Sequence, residues 1–284
     1  MRICFDHPDP LAIRESGYTP ADLHVHSSYS DSSTPVRALL ARAERLGIGL
    51  AITDHNEVRG VVEALARRRP RPLVIPGMEV STADGPHILL YFSTLSGLQD
   101  FYAREIREKK GKSPYLAVHL TTEELVERGK GYDCLITAAH PFGYFFFDKG
   151  LLKCTTKHVI DPAVAGQVDA FEVICGGMRR GLNARAVGEA TRTGKGMTGG
   201  TDSHLLGHLG GVVTCCQAET AEDFIEEIRR NRSMVVGEET SALGKVLTGG
   251  AILGGFLPYT VPSLQVQYEQ NLPRLKRYFT RRRT

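Results

Sequence analysis

The stretch Asp22-Leu23-His24-Val25-His26-Ser27-Ser28-Tyr29-Ser30-Asp31 decides how the rest of this 284-residue chain is read. On an extended strand, residues two apart point to one face, so His24 and His26 present two imidazoles side by side. Two neutral imidazoles followed shortly by a carboxylate make a nucleus for a divalent metal. Further His/Asp/Glu clusters follow where apolar runs hand over to loops: Asp54-His55, Glu79, His140-Pro141 and Asp202-Ser203-His204, with His87 between the second and third. Six of the ten histidines fall in this set, which scattered surface or core histidines have no reason to do.

Between the clusters the pattern alternates strand and helix. After a strand at about Ala21–Val25, Ser33 and Thr34 cap a helix with Pro35 in its first turn, Val36, Leu39, Leu40, Ala43 and Leu46 follow at helical spacing, and Gly47 ends it. Ile48–Thr53 then reads as a strand delivering Asp54-His55-Asn56. The same reading gives helices over Glu57–Arg69, Leu98–Lys110, Thr121–Lys130, Arg180–Thr193 and Ala221–Asn231. It gives strands at Leu73–Pro76, His87–Phe92, Cys134–Ala139, Val168–Cys175, Gly196–Thr201 and Gly211–Cys216. Buried-type strands alternating with helices predict a parallel sheet. About seven such units, with no G-x-G-x-x-G after the first strand, predict an α/β barrel, whose active site lies at the strand C-termini. Residues 1–20 read as an N-terminal arm, 21–240 as the barrel domain, and 241–284 as an extension packing on it with a basic tail. Within that extension, Ser241–Gly255 reads as a helix or hairpin.

Composition sets broad bounds. Hydrophobic residues at 42% and charged residues at 24% fit a globular protein with a real core, and a net charge of +3 gives no reason to expect nucleic acid on charge alone. The N-terminus lacks a signal-peptide apolar region, and no run of about 18 apolar residues could span a bilayer. The six cysteines show no C-x-x-C spacing and read as reduced, mostly buried side chains of a cytoplasmic protein.

The motifs D-L-H-V-H-S-x-Y-S-D, A-I-T-D-H, G-M-E-V-S, H-I-L-L-Y, A-A-H-P-F and G-G-T-D-S-H, in that order over residues 22 to 204, resemble those of the polymerase and histidinol phosphatase (PHP) family of metal-dependent phosphoesterases. The resemblance implies a distorted (β/α)7 TIM-like barrel with a trinuclear metal site at the strand C-termini. It implies that His24, His26, Glu79 and Asp202 hold one metal, that Glu79, His87 and His140 hold a second through a bridging carboxylate, and that Asp31, His55 and His204 hold the third. Mixed imidazole and carboxylate ligands suit manganese, zinc or iron better than magnesium or calcium. Metals roughly 3.5–4 Å apart can share a hydroxide and clamp a phosphate for in-line attack. The expected activity is therefore hydrolysis of a small phosphate ester, a nucleotide phosphomonoester first, with a short oligonucleotide as a further substrate class. Histidinol phosphate is the alternative substrate, and a metal-loaded module that binds nucleic acid or a polymerase is the alternative of another class. The segment Leu90–Ala139 is shorter than the insertion of the nucleotide-directed members, implying a more open site or one closed by Tyr144–Phe147.

Other residues are candidates around this centre. Asp54 either orients a histidine or water, or caps the following helix. Arg59, and Arg179 with Arg180, are each either phosphate donors or solvated helix-start charges. His208 either faces the phosphate or donates a proton to the leaving group, or is a plain loop residue. The aromatic run from Tyr144 to Phe147 either stacks on a base or packs as a lid.

Overall fold

The computed structural model describes residues 2–66, 72–113, 115–144 and 148–281. Arg69, Phe145, Phe146, Phe147, Arg282 and Arg283 lie outside the described residues, as do the side chains of Arg274, Lys276, Arg277 and Arg281. The elements run β1 (Ile3–Cys4), α1 (Pro10–Glu15), β2 (Thr19–Val25), α2 (Val36–Leu46), β3 (Gly49–Ile52), α3 (Arg59–Leu65), β4 (Gly77–Ser81), β5 (His87–Phe92), α4 (Leu95–Phe101), α5 (Thr122–Gly129) and β6 (Cys134–Ala138). They continue with α6 (Leu151–Thr156), α7 (Pro162–Gln167), β7 (Ala170–Cys175), α8 (Arg180–Thr193), β8 (Gly196–Gly200), β9 (Val212–Cys216), α9 (Ala221–Arg229), β10 (Met234–Gly237), α10 (Ala242–Phe256) and α11 (Thr260–Arg281).

Local chemistry explains several boundaries. Gly47 ends α2 in the left-handed conformation at φ 67°, which an L side chain rarely adopts. Thr121 and Glu124 close a capping box at the start of α5, each side chain accepting from the other's backbone amide. The helix expected over Leu98–Lys110 starts earlier, as α4 with a Thr94 cap, and then loosens into a π turn over Tyr102–Ile106 and a 3-10 turn over Arg107–Lys109. In the segment Leu73–Pro76 only Val74 bridges, to Leu50, and the paired strand β4 begins at Gly77.

The strands form two five-stranded sheets, ordered β1-β10-β9-β2-β3 and β4-β5-β6-β7-β8. The all-parallel expectation is corrected at β5, which runs antiparallel to both β4 and β6, and at β9, antiparallel to β2 and β10. The cause is loop length: residues 82–86 join β4 to β5, far too few for the crossover a parallel pair needs. This reversal matters for function, because it puts the first residue of β5, His87, opposite Ser81 at the C-terminal end of β4. Between the two sheets the pairing thins to isolated bridges, Val25 with Ser203, Leu50 with Val74, and His55 with Glu79.

Side chains alternate between two cores, as the period of a strand requires. On β5, Ile88, Leu90 and Phe92 join a large cluster with residues of the surrounding helices, while Leu89 and Tyr91 join a smaller one with Ala21, Leu23, Ala51, Leu135 and Ala170. The smaller cluster draws on both sheets and so fills the space between them. Across it the Tyr91 hydroxyl donates to the Leu23 carbonyl at 2.8 Å. Glu79, His87 and Glu172 share the strand parity of this inner face, and all three are buried. Apolar residues thus fill the inner space, and the polar residues of the same faces gather at its end.

Candidate metal centre

The candidate ligands come from elements far apart in sequence: His24 from β2 with His26 just beyond it, Asp31 from the following loop, His55 after β3, Glu79 on β4, His87 on β5, His140 after β6, and Asp202 and His204 after β8. Glu79 stands at their centre. Its Oε1 lies 3.0 Å from His87 Nδ1 and 3.1 Å from His140 Nε2, and its Oε2 lies 2.9 Å from His55 Nδ1 and 3.4 Å from both His24 Nε2 and His26 Nε2. Asp202 Oδ1 approaches His26 Nε2 at 3.1 Å and His24 Nε2 at 3.5 Å. Asp31 Oδ1 lies 3.1 Å from His204 Nε2, and its Oδ2 lies 3.6 Å from His55 Nε2. Three groups of donor atoms are close enough to share an ion: His26, Asp31, His55 and His204; His24, His26 and Asp202; and His55, Glu79 and His87. The groups overlap at His26 and His55, so they form one continuous centre.

The backbone bends to make it. His140 and Asp202 adopt positive φ values of 27° and 53°, and Asn56, next to His55, adopts 52°. Such conformations cost a non-glycine residue of order 1–3 kcal/mol and persist where surrounding structure dictates them. Gly200 permits the closest approach: a Cβ there would lie 2.4 Å from His24 Cβ and 2.5 Å from the His24 backbone nitrogen.

The electrostatics follow from burial against mutual contact. Burial opposes ionisation of Glu79, but the imidazoles of His55, His24 and His87 hold its carboxyl well below the usual carboxylate range. Asp202 is held low against burial by His24, His26 and His204. Burial and the nearby charge of His204 push His26 down to about 4, and burial pushes His87 down to about 3. His204 goes the other way, to about 9, because Asp31 and Asp202 outweigh its burial.

The donor set fits divalent cations on an observation independent of any family. Among the described residues, the buried side-chain atoms without a hydrogen-bonding partner include His24 Nε2, His26 Nδ1, Asp31 Oδ1, Glu79 Oε2, His87 Nε2, His140 Nδ1 and His204 Nε2. Orphaned buried polar atoms are rare because each forfeits its hydration, and seven in one buried cluster, of which Glu79 Oε2, Asp31 Oδ1 and His204 Nε2 make only ion-pair approaches, fit cations as their partners. The opposite ring nitrogens are held: His24 Nδ1 faces Glu172 Oε1 at 2.9 Å, and His204 Nδ1 faces the Asp202 carbonyl at 3.0 Å.

Glu172, on β7, is the functional residue that sequence reasoning missed. Besides facing His24, it accepts the His140 backbone N–H on Oε2 at 2.6 Å, so one buried carboxylate sets the position of two candidate ligands. A lone acid inside the apolar run Ala170–Cys175 was the available signal. Asp22 is similar in kind: buried, and pushed up to about 6 by that burial, it accepts from Thr201 N, Thr201 Oγ1 and Gly210 N, tying β2 to the loop that carries Asp202. Tyr144 donates its hydroxyl to Asp202 Oδ2, and its ring lies 5.1 Å from that of His140.

The weaker candidates separate. Asp54 accepts from the Ser27 amide at 2.7 Å, Ser27 Oγ at 2.6 Å and Ser30 Oγ at 2.7 Å, so its carboxylate organises the loop leading to Asp31. Arg59 pairs with Glu57 at 2.9 Å and lies over the Tyr29 ring at 5.2 Å, its side chain 65% exposed. His208 is partly buried, with Nδ1 3.4 Å from Thr248 Oγ1 of α10. Arg180 reaches the Phe5 carbonyl at 3.3 Å and lies over the Phe5 ring, while Arg179 lines a surface pocket with Arg180, Glu239 and Lys245.

Residues 22–231 match the family model of the PHP domain, and the chain belongs to that family. An uncharacterized protein of Methanocaldococcus jannaschii is 33% identical over 135 residues, which cover 43% of this chain and 67% of that protein. Among solved structures, the lesion-specific endonuclease Q of Pyrococcus furiosus superposes with a TM-score of 0.61 at 20% identity, covering 77% of this chain and 57% of that one. A protein of Bifidobacterium adolescentis, named as a candidate metal-dependent phosphoesterase, does so with a TM-score of 0.53 at 20% identity, covering 79% of this chain and 98% of that one. The chain is thus a hydrolase of the metal-dependent phosphoesterase kind, with a mixed α/β fold. Among the described residues, no helix is long and apolar enough to cross a membrane.

Proposed function

We propose that this protein hydrolyses a small phosphate ester, a nucleotide phosphomonoester, at a three-cation centre in the mouth of a seven-stranded barrel. The observation that carries the reading is the set of orphaned, buried donor atoms converging around Glu79 from both sheets. The bridges from Val25 to Ser203 and from Leu50 to Val74 support closure of β2 to β8 into a ring, since they set β2 beside the end of β8 and β3 beside the start of β4. His24, His26, Glu79 and Asp202 would hold one cation, Glu79, His87 and His140 a second, and Asp31, His55 and His204 a third. The site's imidazole content favours manganese, zinc or iron. The six free cysteines, five of them buried, support a reducing, cytoplasmic setting.

Bound cations supply Lewis acidity for the phosphoryl oxygens and a nucleophile available near neutral pH. The protein's own groups do the positioning. Glu172 holds His24 with its Nδ1–H outward and Nε2 toward the centre, a role that outer carboxylates commonly serve for ligating histidines. Asp54 fixes the Ser27–Ser30 turn and so delivers Asp31. Arg59 and His208 are assigned to the substrate side, the first to carry anionic oxygens and the second to return a proton to the leaving group. The test is turnover by the manganese-loaded chain of a nucleoside monophosphate and histidinol phosphate, read as phosphate release, and of a duplex carrying an abasic lesion, read as strand scission. The duplex enters because a second endonuclease Q structure holds such a substrate at its active site. Turnover of the mononucleotide above the other two supports the reading, and exclusive turnover of either other substrate overturns it.

A further inference from the structure

Beside His55 the centre meets a set of aromatic rings that its chemistry does not use. Ser81 Oγ lies 3.2 Å from His55 Nδ1 and donates to the Tyr115 carbonyl at 3.1 Å, so the Tyr115 backbone stands one side chain away from a candidate ligand. The loop carrying Tyr115 is pinned there twice more, by Val118 N to the Ser81 carbonyl at 2.8 Å and by Ser113 Oγ to Ser263 Oγ of α11 at 3.0 Å. The Tyr115 ring meets Tyr259 and Phe256 of the C-terminal segment nearly perpendicular, with centroids 5.6 and 5.9 Å away. These three rings are partly exposed, whereas the core rings Phe92, Phe101 and Phe171 are buried. In an edge-to-face pair one ring offers its rim and the other a single face, so the rim-on ring keeps its own faces for a flat π system to stack on. Arg59 is close enough to Tyr115 to interact with it electrostatically, and it and Lys110 both pair with Glu57, at 2.9 and 3.2 Å.

We infer that Tyr115, Tyr259 and Phe256 form a base-stacking subsite for the nucleoside portion of a nucleoside monophosphate whose phosphate lies at the metal centre. The inference rests on the phosphoesterase reading and adds the specificity element to it. It assigns the C-terminal segment a role, since two of the three rings come from it.

The experiment compares adenosine 5′-monophosphate with ribose 5-phosphate, which lacks only the base, on the full-length manganese-loaded chain and on Tyr115→Leu and Tyr259→Leu. Calorimetric binding and kcat/KM are both read. Stacking on one aromatic platform is expected to give the wild type a preference of about tenfold to a hundredfold for the adenosine compound. Both substitutions are expected to lower that preference several-fold through KM, leaving ribose 5-phosphate unchanged. No preference in the wild type, or equal losses on both ligands, overturns the inference. Failure to release phosphate from any ester, with the binding preference intact and sensitive to both substitutions, overturns the phosphoesterase reading and leaves the subsite standing.

Discussion

Replacing Glu172 by glutamine exchanges one carboxylate oxygen for an NH2 group at the back of the centre and leaves the candidate ligands themselves in place. The carboxylate faces His24 Nδ1 with one oxygen at 2.9 Å and accepts the His140 amide with the other at 2.6 Å. A glutamine side chain has one acceptor oxygen, so its NH2 group must oppose either an imidazole N–H or a backbone N–H. One of the two contacts becomes donor against donor, in a place where Glu172 is only 1% exposed and water cannot substitute. Leaving one such buried donor unsatisfied costs about 1–3 kcal/mol, and the loss of orientation at an outer carboxylate of a metal site typically costs about 10- to 100-fold in metal affinity. Manganese binding, measured by competition with a chelator of known affinity, is therefore expected to weaken about tenfold or more in Glu172→Gln. The His24→Ala change, which removes a candidate ligand, should weaken it further. Affinity within twofold of wild type in Glu172→Gln would refute the argument that this carboxylate positions His24 and His140.

Other perturbations follow from the same geometry. Asp54→Asn keeps one acceptor where the carboxylate receives three hydrogen bonds, and is expected to lower stability to urea by about 1–3 kcal/mol; an unchanged midpoint would remove Asp54 from the loop's support. Gly200→Ala places a Cβ against the backbone of His24 and should cost at least about 1–3 kcal/mol, read as a fall in Tm, with metal affinity falling alongside. Chelation should lower Tm and added manganese should restore it, the metal contributing about 2.7 kcal/mol of stability per site when free metal reaches 100 times its Kd; a Tm indifferent to both would deny the orphaned atoms their partners. Metal uptake should displace a proton from His204, which holds it up to about pH 9 in the metal-free centre, whereas His26 and His87 are already neutral above about pH 4; affinity should therefore fall as the pH drops below about 9, and buffer-dependent calorimetric heats measure the released proton.

How much of this was legible in the sequence depended on whether the signal was local. The nine candidate ligands sit in short motifs beside apolar runs, and all of those runs but Leu73–Pro76 paired as strands, so residues as distant as His24 and Asp202 meet. His87–Phe92 was read with its observed limits, yet its direction was not, because apolar periodicity carries no sign of parallel or antiparallel pairing. The short link between Ser81 and His87 did carry that sign. Glu172 was hidden because a single acid in a buried strand reads as tolerated polarity until its partners are known. Tyr144 was visible as an aromatic, but its engagement through the hydroxyl with Asp202 is a tertiary fact. The C-terminal helices gave the weakest pattern: glycine pairs inside Ala242–Phe256 look like turns in sequence, and the segment is nevertheless one helix.

The central claim is that the buried cluster around Glu79 is a phosphoester-cleaving metal centre. The most direct measurement is the rate of p-nitrophenyl phosphate hydrolysis by the manganese-loaded wild type beside Glu79→Gln at equal metal and protein concentration. The account predicts clear turnover by the wild type and a loss of at least about a hundredfold in the variant, since one candidate bridging carboxylate is removed from the middle of the cluster. Equal rates in the two proteins would contradict it.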